Sequence, residues 1–180
     1  MTDRDDIRHG ILAAIPSLRA FATSLAGNSH TADDLVRETI VRALAHLDSF
    51  EPGTNLKGWL FTILRNHFHT LYRNRRREVE DPDGVHALML TTPPEQDGRV
   101  DFENLKVALV RLTVEQREAL LLVAAEGVSY DEAAAICGTR AGTIKSRVNR
   151  ARNRLAEMMG YDRAVDAPRS GARPHRLSSP

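Results

Sequence analysis

The stretch Gly127–Leu155, GVSYDEAAAICGTRAGTIKSRVNRARNRL, constrains the fold more tightly than any other part of the chain. Ser129 and Glu132 have the S-x-x-E spacing of a capping box, in which side chain and backbone at a helix start satisfy each other's free groups. Gly138 stands where that helix has to stop, and Thr139 is placed to cap a second one. In the second segment Ile144, Val148, Leu155 and Met158 fall on one helical face. From Arg140 to Arg154 there are six basic residues and no acid. Two helices joined by a tight turn, the second carrying an apolar stripe and a basic face, make a helix-turn-helix suited to the major groove of DNA. Arg140, Thr143, Lys145, Ser146, Arg147 and Arg150 are the expected groove or phosphate contacts. Arginine pairs bidentately with guanine, whereas Lys and Ser more often hold the backbone. The plain alternative is a solvated amphipathic helix; the cap, the turn and the missing acids count against it.

The rest of the chain fits an all-α fold. Its 180 residues allow one medium domain or two small ones, and 42% apolar against 5% aromatic content points to aliphatic helix packing. No run of alternating β-branched residues suggests a strand. A single cysteine, Cys137, excludes an internal disulfide framework and fits a reducing compartment. The polar start MTDRDDIRHG lacks a signal-peptide core, and no apolar run is long enough to cross a membrane, so a cytoplasmic protein is expected. The net charge of +1 hides a segregation. Arg65 to Arg77 hold five arginines and no acid, whereas Glu78 to Glu103 hold eight acids against one arginine. Two basic patches with an acidic connector point to two nucleic-acid contacts.

Two small helical domains follow, over residues 6–78 and 102–159, with an acidic linker over 79–101 and a basic tail over 160–180. In the first, Pro16 is expected to start a helix that carries Leu18, Phe21, Ala22 and Leu25 inward and ends at Gly27. Thr31 and Asp34 suggest a second cap, followed by Leu35, Thr39, Ala43 and Leu47 at helical spacing. Glu51–Asn55 reads as a loop from its Pro and Gly. A long helix then places Trp59, Ile63, Leu64, Phe68, Leu71 and Tyr72 inward and runs into Arg73, Arg75, Arg76 and Arg77. Pro82, Gly84, Pro93, Pro94 and Gly98 break any helix in the linker. In the second domain Phe102, Leu105, Leu109 and Leu112 mark one helix, and a Thr113–Gln116 capping box opens the next. With the helix-turn-helix this makes a four-helix unit.

Two further constellations carry chemistry. On the long helix Asn55, Lys57, Phe61, Arg65, Asn66, His69, Arg73 and Arg76 interleave basic, aromatic and amide groups, which suits unstacked bases and phosphate. The structural reading of the same helix is a core element with Trp59 buried. In HTADDLVRET, Asp33, Asp34 and Glu38 are explained by the positive end of a helix dipole, or else form an acidic docking edge for a basic partner. Catalysis finds no support: the seven histidines are scattered, no H-E-x-x-H, C-x-x-C or phosphate loop occurs, and Cys137 belongs between the two helices of the turn motif. No cofactor, metal or small-molecule substrate is expected.

Taken in order, these segments resemble an extracytoplasmic-function, or group IV, sigma-70 factor. HTADDLVRET resembles the region that docks on the β′ clamp helices of core RNA polymerase, which implies Asp33, Asp34, Leu35, Glu38 and Thr39 as docking residues. NLKGWLFTILRNHFHTLYRNRRRE is similar to the regions that open and read the −10 element, and GVSYDEAAAICGTRAGTIKSRVNRARNRL to the region that reads the −35 element. Arg37 stands where the family commonly has glutamine, and Ala141 where many members have a proline. The run FTILRNHFHTLYRNRRREVED also resembles the EcfG-type general stress factors of alphaproteobacteria. The resemblance implies promoter DNA, core polymerase (β′ clamp helices and β flap) and an anti-sigma protein as partners. It sets aside an independent helix-turn-helix repressor, which needs a sensor or dimerisation domain.

Overall fold

The structure is a computed structural model that describes residues 3–78 and 98–160; the expected linker from 79 to 97 and the tail from 161 onward lie outside the described residues. Among the described residues seven α-helices form the whole architecture and no strand occurs, as the periodicity requires.

Three helices make the first unit: α1 (Asp3–Ala26), α2 (Ser29–Ala45) and α3 (Leu56–Glu78), with a short 3-10 turn over Leu47–Ser49. Pro16 does not start α1 but lies inside it. Ile11, Ala14, Leu18, Phe21, Ala22, Leu25 and Ala26 form one buried stripe on both sides of it. Packing along that stripe outweighs the single backbone bond that an exposed internal proline removes. The cap of α2 also differs from expectation. Asn28 accepts from the Thr31 amide at 2.8 Å, so Thr31 is inside the helix rather than its cap. The core closes where the Phe21 ring meets Phe61 edge to face at 5.0 Å. Gly10 lets α1 approach α3, since a Cβ there would lie 2.6 Å from Leu56 Cδ2.

On α3 Leu64 and Phe68 are buried as expected, joined by Leu60 and Phe61, whereas Trp59, Ile63, Leu71 and Tyr72 are only partly buried against the same core. Trp59 is only half-buried and leans on Phe50 at 5.3 Å.

The second unit contains α4 (Gly98–Val110), α5 (Val114–Leu120, continued by a π turn over Leu121–Ala125), α6 (Tyr130–Cys137) and α7 (Ala141–Met159). Gly98 opens α4 instead of breaking a helix, so the ordered unit starts inside the segment expected as linker. Both capping boxes of this unit form as read, at Thr113–Gln116 and Ser129–Glu132. Their side-chain and backbone partners are three residues apart, so no distant contact is needed to set them.

The two units touch. Helix α3 lies against α6, and α1 against α4 and α5, so that apolar residues of both units join one core cluster. Arg117 of α5 is the polar pin of this junction. Its buried guanidinium donates to the carbonyls of Ser24 and Leu25 at 3.2 and 3.1 Å, and to those of Val110 and Leu112 at 3.0 and 3.2 Å. The last turn of α1 has no basic residue of its own, and Arg117 supplies the cation its carbonyl end favours. Burial pushes the Arg117 pKa below its ordinary value.

Candidate nucleic-acid interface

The turn of the helix-turn-helix is built by Gly138, which adopts φ 61° and returns its amide to the carbonyls of Ala134 and Ala135. A left-handed conformation at that point favours glycine. The cap of α7 is Arg140, one residue later than the sequence suggests, and it makes no side-chain capping bond. Ile144, Val148 and Ala151 of α7 are fully buried against the unit. Arg140, Lys145 and Arg150 are exposed, and Thr143, Ser146 and Arg147 half-exposed. All six residues expected at the groove therefore share the accessible side of a helix whose other side is locked into the core. Cys137 is buried in α6, and burial raises its thiol pKa, as for a small packed residue.

The second constellation divides into four parts. Phe61 is fully buried in the first unit's core, so it cannot stack on a base; four residues from Lys57 and Arg65, it lies where the helix turns into the Phe21 contact. Asn66 and Arg73 are exposed. The Arg76 side chain lies outside the described residues. The other four reach across to the second unit. Lys57 Nζ is 2.8 Å from Glu126 Oε2 and 5.7 Å above the Phe61 ring. Arg65 Nε donates to Glu118 Oε2 at 3.1 Å, and His69 Nε2 lies 2.5 Å from Glu118 Oε1. Asn55 caps α3 by accepting from the Gly58 amide at 2.9 Å, and its Nδ2 donates to Glu132 Oε1 at 2.8 Å. The hydroxyl and amide of Ser129, with Asn55 beyond them, hold the Glu132 carboxyl below the usual carboxylate range.

The acidic segment on α2 is not in the first helical turn, so the dipole does not explain it. Asp33 pairs with Arg19 of α1 at 2.8 Å, Asp34 with Arg37 at 3.2 Å, and Glu38 with Arg42 at 2.7 Å. The Arg42 bond holds the Glu38 carboxyl below its ordinary pKa. Leu35 and Thr39 are fully buried, with the Thr39 hydroxyl bonded to the Leu35 carbonyl at 2.7 Å. Neither can touch a partner directly; they belong to the inward stripe that also carries Ala32, Val36 and Ala43. Solvent instead meets Asp34, Arg37, Val41 and Leu44, with Val41 56% and Leu44 45% exposed. Extending the helical spacing outward from Asp34 by three, seven and ten positions finds Arg37, Val41 and Leu44 in the sequence.

These two units are the regions of a sigma-70 protein: residues 11–78 match Sigma-70 region 2 and residues 102–155 match Sigma-70 region 4. The ECF RNA polymerase sigma factor EcfG of Rhodopseudomonas palustris (strain TIE-1) is 59% identical over 162 residues, 90% of each chain. The sigma factor RpoE, solved in complex with the anti-sigma factor NepR from Bartonella quintana, superposes with a TM-score of 0.78 at 52% identity, covering 88% of this chain and 99% of that one. CnrH, solved with the cytosolic domain of CnrY, gives 0.66 at 26% identity over 88% and 90% of the two chains. The chain belongs to the ECF family of RNA polymerase sigma factors. Such a protein serves promoter recognition and transcription initiation and is not itself an enzyme. No described helix is long and apolar enough to cross a membrane.

Proposed function

We propose that the chain grips a promoter at two points and core polymerase at a third. The observation that carries this reading is the division of α7 into a buried apolar side and an acid-free side bearing Arg140, Thr143, Lys145, Ser146, Arg147 and Arg150. That side enters the major groove of the −35 element. Asn55, Lys57, Arg65, Asn66, His69, Arg73 and Arg76 form the surface that holds the opened −10 element, with Asn66 and Arg73 reachable first. Helix α2 docks on the β′ clamp helices through Asp34, Arg37, Val41 and Leu44, flanked by Asp33 and Glu38, while the second unit meets the β flap.

The likeness to EcfG and to a sigma factor solved with NepR supports a general stress role, a cytoplasmic location and an anti-sigma partner of the NepR kind. Run-off transcription with purified core polymerase and a promoter library tests the reading. A promoter-specific transcript that depends on the chain is expected; no transcript above core alone contradicts it.

A further inference from the structure

Three carboxylates of the second unit sit on two cationic side chains, a histidine and an amide of the first unit, the set assigned above to the −10 element. Glu118 is fully buried, and both of its described partners, Arg65 and His69, come from α3. Glu126 holds Lys57, and Glu132 holds Asn55. Lys57, Arg65 and His69 recur at multiples of four on α3, so one helix face receives the set, with Asn55 at its head. None of these acids belongs to α7, whose basic residues are exposed or half-exposed. Arg117 fastens the same junction from the side through two α1 carbonyls.

We infer that the free chain is self-latched: Glu118, Glu126 and Glu132 occupy the positions of DNA phosphates on α3, and opening the two units is the step that exposes the −10 surface. This rests on the assignment of Asn55, Lys57, Arg65 and His69 to the −10 element. A merely structural junction has no need to place its acids on that set. Glu118 matters most, because its charge is fully withdrawn from water and is compensated only while the units are closed. The Glu126 tie is partly buried and the Glu132 tie exposed, so salt screens the second more than the first, and both add selectivity for the closed arrangement. The −35 helix stays available throughout, so the closed chain retains one half of its promoter grip and hides the other.

The test compares the full wild-type chain with E118Q/E126Q/E132Q. The amide that replaces the Glu132 carboxylate can still accept from the Ser129 amide, so the capping box is kept and only charge is lost. Small-angle scattering reads the radius of gyration, and fluorescence anisotropy reads binding to a labelled single-stranded oligonucleotide carrying the non-template −10 sequence selected by run-off. The variant is expected to expand and to bind the oligonucleotide at least tenfold more tightly. Adding K57A/R65A to the opened variant is expected to remove that gain. A wild-type chain already extended in solution overturns the latch alone. Expansion without a gain in affinity, or a gain that survives K57A/R65A, overturns the inference together with the −10 assignment. Should the triple variant fold poorly, N55C/E132C joined by a short thiol crosslinker replaces it. Oligonucleotide binding is then expected to fall at least tenfold and to recover when a cleavable linker is cut; no change on linking overturns the latch.

Discussion

His67 marks the residue scale, because its surroundings are invisible in the sequence. Its Nδ1 is buried without a hydrogen-bond partner, and the ring feels the charges of both Glu38 and Arg42 of α2. Burial first, and Arg42 second, hold its pKa below the ordinary 6.5, with Glu38 opposing. The folded chain therefore binds this proton less readily than the unfolded one. Stability from this site is present above the unfolded pKa and is lost as pH falls below about 6.5 towards the folded value. H67Q is expected to lose less stability than wild type between about pH 7.5 and about pH 5.5, measured by urea unfolding; equal losses contradict the account. Phe61 gives the opposite lesson. Its place among basic residues suggests a base-stacking role, yet sequence spacing does not fix which side of α3 faces Phe21, and the packing extends the inward face of Leu64 and Phe68 to include Phe61.

At the scale of elements, the features set by neighbours a few residues apart are legible. Both capping boxes of the second unit and the αL glycine at 138 follow from local chemistry. Features set by packing are not. Pro16 reads as a helix start, but Ile11 and Ala14 extend the buried stripe of α1 upstream of it. Leu35 and Thr39 fit both the apolar spacing of α2 and the docking segment, and burial gives them to the core. The docking surface is then the outer row of the same helix. D34A/V41D is expected to weaken binding to core polymerase about tenfold or more while leaving the melting temperature within a few degrees, since both side chains are exposed. L35A differs: it should cost about 2–5 kcal/mol of stability, so that any lost binding follows unfolding. Unchanged polymerase affinity in D34A/V41D would move the docking site off this helix.

The whole molecule adds what no segment carries. Sequence predicts an all-α chain, which the fold is, and basic sets on two helical units, of which the one on α3 is largely met by acids of the other unit. It offers no sign that Glu118, on an ordinary amphipathic helix, meets Arg65 and His69 from 49 to 53 residues away. Contacts of that separation depend on how the units dock, and docking depends on the summed burial along α1, α3, α5 and α6 rather than on any motif. The family resemblance supplies the parts and their order; the packing between them comes only from the structure.

Site-specific photocrosslinking in the assembled polymerase complex tests the two-point grip most directly, with one probe replacing Asn66 and another replacing Arg147. The probe at 66 is expected to label the non-template strand within the −10 element and the probe at 147 the −35 element of the same promoter. Both probes labelling one element, or the probe at 66 labelling no promoter DNA, would contradict it.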